Sequence, residues 1–498
     1  MRPLIITSGG APCKVIIKYK NEIERISNCI LLDTSLADVK QLGPISKRTP
    51  GYLIMNEGLD DKEFSRYTGV DIGCAVISGN GNDEQVRGRQ GINRQKEDFV
   101  LAFAMDSKLG ITERIWKTIE DRKLDHGTDY VLFMAGLGGG TGSGSINGIA
   151  SRFYKAQEGK KSVSGSKHIV VGILPSIEED NLGEDTNRLR FNTVWALYEL
   201  MRPIKRPNPL ILLDNEAMDR NDPRPTKPVM DLIHMFCDWR PNKDAGDFFT
   251  KYGRSEMGCK VMAPYYACIE KAHLCDISHE DIDRSLLNFK PDEKTTNRHD
   301  DSFGRWLMGI TEQDFLLGQK KIKDGDPETG GIYILTKGIT NELRSHLKEK
   351  ICEILEISED SLQPGDIVEE VPLIGKPGKA EFMILMLFDS PLELSRIRGL
   401  VSCVDWLVNK KEQLSLDRAF AHIYHENAKK VLKEFVEVMI RDLADNFDSP
   451  KNMPKHEIQF QDDHFELVPY KEQEHTPQSA QVSPVPARDD SFAVPTSV

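Results

Sequence analysis

One short stretch limits the fold of this chain more than any other: Gly136-Leu137-Gly138-Gly139-Gly140-Thr141-Gly142-Ser143-Gly144-Ser145. It follows the apolar run Tyr130–Ala135 (YVLFMA) and precedes a helical stretch, Ile146–Tyr154. A strand, a glycine-rich turn and a helix in that order make a unit of a parallel sheet. Glycine has no Cβ and takes up positive φ freely, so successive backbone N–H groups can converge on one anion. The helix adds the partial positive charge of its N-terminus, and Thr141 and Ser143 add hydroxyls. The run is a phosphate cradle by construction. A P-loop needs a lysine that is absent here. A dinucleotide fingerprint counted from Gly136 fails at its last glycine, where Thr141 stands, and belongs on a first strand.

The flanking sequence supports the same architecture. Met1–Gly10, Ile26–Asp33, Asp71–Ile77, His168–Leu174 and Pro209–Leu213 are short runs rich in strand formers, each ending in a polar or glycine-rich turn. Longer amphipathic stretches, Gln95–Asp121 and Asn187–Met201, lie between them. Continuous apolar strands separated by helices predict a parallel sheet covered on both faces, with ligands at the carboxyl ends of the strands. Pro223, Pro225 and Pro228 interrupt any helix before Val229, so the next helix is expected over Val229–Trp239. Strands are then predicted at Cys259–Ile269, Gly331–Thr336 and Ala380–Phe388, a helix at Asn341–Leu355, and helical pattern from Pro391 to about Phe447. Beyond it Pro, Ser, Gln and charged residues lose all periodicity, which reads as a disordered tail.

The glycine run resembles the signature loop of the tubulin/FtsZ superfamily, and other loops carry the likeness further. Gly79-Asn80-Gly81-Asn82 is similar to that family's third phosphate loop, Leu174-Pro175 followed by Glu178-Glu179 to its fifth, and Leu212-Leu213-Asp214-Asn215 to the end of its sixth strand. Ser8-Gly9-Gly10 stands where its first loop stands, without the fuller Gly-Gly-x-Gly pattern. Asn242-Lys243-Asp244-Ala245-Gly246-Asp247-Phe248 matches the Asn-x-Asp-x-x-Asp pattern of its catalytic loop. The alternative for this last segment is an ordinary Asn- and Asp-rich helix cap.

The resemblance implies an α/β fold: a Rossmann-like parallel-sheet GTPase domain (1–225), a central helix with the catalytic loop (226–252), a smaller mixed α/β activation domain (253–390), C-terminal helices (391–447) and a disordered tail (448–498). It implies GTP and GDP as ligands, with Mg²⁺. Gly9, Gly10, Gly79, Gly81, Asn82, Gly138, Gly139, Gly140, Thr141, Gly142 and Ser143 would hold phosphates, and Glu179 the ribose. Asp244 and Asp247, assisted by Asn242, would act on the nucleotide of the next subunit in a head-to-tail homopolymer. A non-polymerising nucleotide-binding regulator on the same fold is the alternative, motivated by the sparse first loop and the short central helix.

Composition narrows the partners. Asp and Glu number 78 against 65 Lys and Arg, a formal net charge of −13. That balance argues against direct nucleic-acid binding. Binding of an adaptor or DNA-binding partner is left to the tail, where Asp489–Pro495 is a candidate peptide. No run approaches the ~18 apolar residues of a membrane span. The nine cysteines show no C-x-x-C pair, which predicts reduced thiols in a cytoplasmic protein. The patch of Cys259, Cys268, His273, Cys275 and His279 lacks the paired spacing of a zinc site, so no metal is assigned there.

Overall fold

A computed structural model describes residues 3–33, 51–53, 130–146, 167–175, 184–201, 210–218, 226–238, 260–291, 304–324, 331–358, 368–371 and 378–401. The predicted strand Asp71–Ile77, the helix Gln95–Asp121 and everything after residue 401 lie outside them.

The described residues build one sheet of eleven strands. In chain order they are β1 (Leu4–Ser8), β2 (Asn28–Asp33), β3 (Gly51–Leu53), β4 (Tyr130–Gly136), β5 (Lys167–Leu174), β6 (Leu210–Asp214), β7 (Val261–Glu270), β8 (Arg305–Trp306), β9 (Gly331–Lys337), β10 (Val368–Val371) and β11 (Lys379–Phe388). The spatial order is β10-β9-β11-β7-β6-β5-β4-β1-β2-β3, with β8 on β7. From β3 across to β7 every pairing is parallel. β11 then runs antiparallel to both β7 and β9, and β10 is parallel to β9.

The chain thus starts at mid-sheet, fills one side with β2 and β3, and returns to the other side of β1 for β4. The loops leaving β1 and β4 diverge, and the crevice between them is the switch point at which such sheets bind ligands.

Two faces are covered, as the apolar runs require. Alternation sends Leu4 and Ile6 to one face and Ile5 to the other. On the first, Phe191, Val194 and Trp195 of the helix Glu184–Met201 pack on Phe133, Val170 and Leu212, and the layer continues to Phe289, Phe315 and Ile351. On the second lie α1 (Gly10–Lys18) and the helix Thr226–Asp238. Cys13, Val15 and Ile16 of α1 and Val229, Leu232, Ile233 and Phe236 of the latter share a core with Ile5, Leu132, Met134, Met262 and Met383. Thr226–Asp238 is therefore a central helix that touches both halves of the sheet. The Tyr130 hydroxyl donates to the Phe236 carbonyl beneath it, and His234 Nε2 meets Glu22 Oε1 at 2.8 Å.

This helix starts earlier than its prolines suggest. Pro228 sits in the first turn, where its missing N–H removes nothing, because the first N–H groups of a helix have no intrahelical acceptor. The helix Glu312–Lys323 has no counterpart in the sequence reading, and Gly318 explains why. A Cβ there would stand 2.5 Å from Met386 Sδ, so the glycine is a notch for β11 rather than a breaker. No described helix is long and apolar enough to cross a membrane.

Candidate phosphate-binding site

The carboxyl ends of β1 and β4 are joined backbone to backbone. Gly9 follows β1 with φ of 83°, in the left-handed region that a side chain disfavours. Its amide donates to the Leu32 carbonyl at 3.0 Å, fastening the turn to β2. A Cβ on Gly9 would come within 3.0 Å of the Gly142 nitrogen. One on Gly142 would strike the Gly136 carbonyl oxygen at 2.2 Å. The loop therefore folds back on the end of its own strand at a distance only glycine permits, and residues 140–146 are helical from there.

Side chains brace the loop from outside. Ser145 Oγ donates to Ser8 Oγ at 2.6 Å, joining the first and fourth strand ends. Asn192 Nδ2 donates to the Gly138 carbonyl at 2.9 Å. The Leu137 amide bonds to the Ile173 carbonyl at 2.9 Å. A Cβ on Gly138 would lie 2.9 Å from the Pro175 ring, which therefore forms a wall of the loop. Gly139, by contrast, faces open space.

Of the predicted phosphate contacts, Gly9, Gly10, Gly138, Gly139, Gly140, Thr141, Gly142 and Ser143 come together at this crevice. Gly10 opens α1, and Gly9 as its N-cap residue offers no side chain to bond the first amides. Thr141 is buried. The Ser143 hydroxyl donates to the Gly139 carbonyl at 2.6 Å, so its hydrogen serves the turn. Gly79, Gly81, Asn82, Glu179, Asn242, Asp244 and Asp247 lie outside the described residues. The described residues of this crevice carry no cationic side chain; what they offer an anion is amides and helix ends.

Acidic groups flank it. Asp33 ends β2 and is buried. Asp214 ends β6, its amide bonded to the Leu307 carbonyl at 2.9 Å and its carboxylate to Arg396 Nε at 2.9 Å. Among the described residues no group of three or more His, Cys, Asp or Glu is placed to hold a metal ion.

Sequence reasoning missed the bracing groups. Asn192 carried a signal, a polar residue between Phe191 and Val194 on the apolar face of a helix. The pairing of Asp214 with Arg396 carried none, because it joins residues 182 apart.

No family model and no curated protein matches the sequence. Among solved structures the chain is similar to CetZ from Methanosaeta thermophila strain DSM 6194, with a TM-score of 0.49 and 15% identity, over 88% of this chain and 100% of that one. It is also similar to an empty FtsZ dimer from M. jannaschii, with a TM-score of 0.46 and 14% identity, over 78% of this chain and 88% of that one.

Proposed function

We propose that this chain binds and hydrolyses GTP and assembles head to tail into filaments, in the manner of the tubulin/FtsZ superfamily that its loops resemble. One observation carries the reading. Two helices, α1 and 140–146, begin side by side at the switch point, behind glycines packed backbone to backbone, with Gly139 facing open space. Such a pair of starts offers amide donors to a run of phosphates, which is how an acidic protein can bind a polyanion without lysines. The choice of guanine nucleotide rests on the loop motifs.

The amides of Gly138 to Gly142 and of the β1 turn would hold the terminal phosphates. A divalent cation, expected as Mg²⁺, would neutralise charge on the transferred phosphoryl group. Asp244 and Asp247 of a neighbouring subunit would orient the attacking water, with Asn242 hydrogen-bonding beside them. A surface that meets a different surface of the next copy, without closing, makes a filament. Each catalytic site would then be completed only by assembly.

Sedimentation with GTP and with GDP tests this. Polymer and phosphate release with GTP alone are expected. Asp244→Ala should bind GTP with unchanged affinity and lose phosphate release; loss of binding would refute the role in trans. Tight GTP binding with no polymer at any protein concentration would favour the non-polymerising regulator.

A further inference from the structure

We propose that Arg396 is a positioning residue for the phosphate cradle, tying a C-terminal helix to the strand ends that wall the glycine loop, so that this helix and the nucleotide reinforce each other's binding. The inference rests on the nucleotide reading above.

The helix spans 395–401 and is far from the cradle in sequence. Its Arg396 nevertheless reaches the carboxyl edge of the first half. Nε donates to Asp214 Oδ2 at 2.9 Å, and Nη2 donates to the Pro175 carbonyl at 3.1 Å and to Asp214 Oδ1 at 3.5 Å. The guanidinium thus clamps the ends of β5 and β6 together. Pro175 is the residue whose ring lies against Gly138. A displacement of the Pro175 carbonyl is transmitted to the glycine loop through that contact, beside the bond of the Leu137 amide to the Ile173 carbonyl. The pair is largely desolvated, with 14% of the arginine side chain and 2% of the aspartate exposed, and a guanidinium fork holds two acceptors in a geometry that a lysine does not reproduce.

The neighbouring Arg398 separates positioning from general support. It bonds the Leu392 and Glu393 carbonyls and Ser395 Oγ and lies 3.5 Å from Asp314 Oδ1. These bonds steady the same helix from its own segment and from Asp314 rather than from β5 or β6. The helix is also held at its start by the buried Asp314, whose Oδ1 accepts from the Ser395 amide at 2.8 Å. It can therefore remain folded when Arg396 is changed. Coupling is reciprocal: if the clamp improves nucleotide affinity, nucleotide must steady the clamp by the same factor.

The test uses the full chain, mant-GTP with Mg²⁺ as the probe, and hydrogen exchange of the amides of 395–401. Arg396→Lys should weaken mant-GTP binding about tenfold, within the usual range of coupling between sites. The double change Asp214→Asn with Arg396→Met removes the clamp without stranding a buried charge, and should lose as much. Arg398→Ala should leave the affinity unchanged. In the unaltered protein GTP should slow exchange at 395–401, and in Arg396→Lys it should not. Unchanged affinity in both Arg396 variants, an equal loss in Arg398→Ala, or exchange at 395–401 indifferent to GTP would overturn the proposal while leaving the nucleotide reading standing. Failure of the unaltered protein to bind mant-GTP would overturn both.

Discussion

The two halves of the sheet treat the start of a helix in opposite ways. In the second half, the helices beginning at His279, Glu312 and Asn341 are closed by their own side chains. Ser278, Thr311 and Thr340 each accept from the third amide, and Asp281 and Asp314 return the bond to the cap residue in the first two. In the first half α1 begins behind Gly9, with no cap side chain. Four amides at any helix start need acceptors. The second half closes the third amide of each of these helices with a cap side chain. At α1, by contrast, Pro12 has no amide hydrogen at that place, the Gly9 amide is bonded to the Leu32 carbonyl, and no cap side chain reaches the amides of Gly10 and Ala11.

Charge divides the same way. The second half buries Glu381, which accepts from Lys379 at 2.7 Å and from the Tyr266 hydroxyl at 2.5 Å, with Lys337 at 3.8 Å. At the carboxyl ends of β1, β4 and β5 the described turn residues are Gly9, Leu137, Gly138, Gly139 and Pro175, none of them charged. The glycine loop itself has small side chains, and the second half packs matched charge around Glu381.

The largest expected effect lies in that buried network. Glu381→Ala takes away the carboxylate that Lys379 bonds and should cost about 3–5 kcal/mol, the usual result of breaking a buried pair, as urea unfolding would measure. Nucleotide affinity of the folded fraction should not change; if it falls, the halves are not the separate devices that the comparison makes them. Acid acts on the same group. Burial alone would raise the Glu381 carboxyl, but bonds from Lys379 and Tyr266 and the charges of both lysines outweigh it and hold it below its ordinary 4.5. Its stabilisation is therefore complete above about pH 4.5 and is lost as pH falls through the lowered folded value. Glu393 runs the other way. Burial raises it, with Asp389 adding to the rise and Lys321 opposing, so its contribution is present in acid and fades as pH rises through the raised value.

Next in size is Gly142→Ala. Its Cβ meets the Gly136 carbonyl oxygen at 2.2 Å and the Gly136 nitrogen at 2.7 Å, backbone atoms that cannot turn aside. A stability loss of about 1–3 kcal/mol is expected from overpacking, together with loss of mant-GTP binding. Retained binding would break the comparison at its centre. The smallest effect is Thr340→Ala, which removes one cap from the second half. It should lower stability by about 1 kcal/mol in thermal unfolding and leave nucleotide affinity alone.

How much of this was legible depends on the range of the interaction. Strands such as β4, β5 and β11 were visible because a strand buried on both faces reads as a nearly continuous apolar run. The helix Asn341–Leu355 was found close to its observed ends, and the structure adds Thr340 as its cap. The glycine loop was legible because its chemistry is local and made of backbone. The start of the central helix was misplaced because Pro228 looks the same in a first turn as in a helix interior. Glu312–Lys323 was missed because Gly318 answers to Met386, a residue on another element. That β6 and β7 would join the two halves through Leu210↔Val261 and Ile211↔Met262 has no trace in either strand's own pattern. Sequence periodicity reports burial, not which buried edge meets which.

The reach of Arg396 back to Asp214 also sets an order in time. The ribosome delivers the carboxylate first and the guanidinium 182 residues later, roughly 10–40 s apart at about 5–20 residues per second. Through that interval the ends of β5 and β6 must stand without their clamp. The finished edge of the first half is thus among the last things the growing chain can make, although nearly all of it was synthesised early.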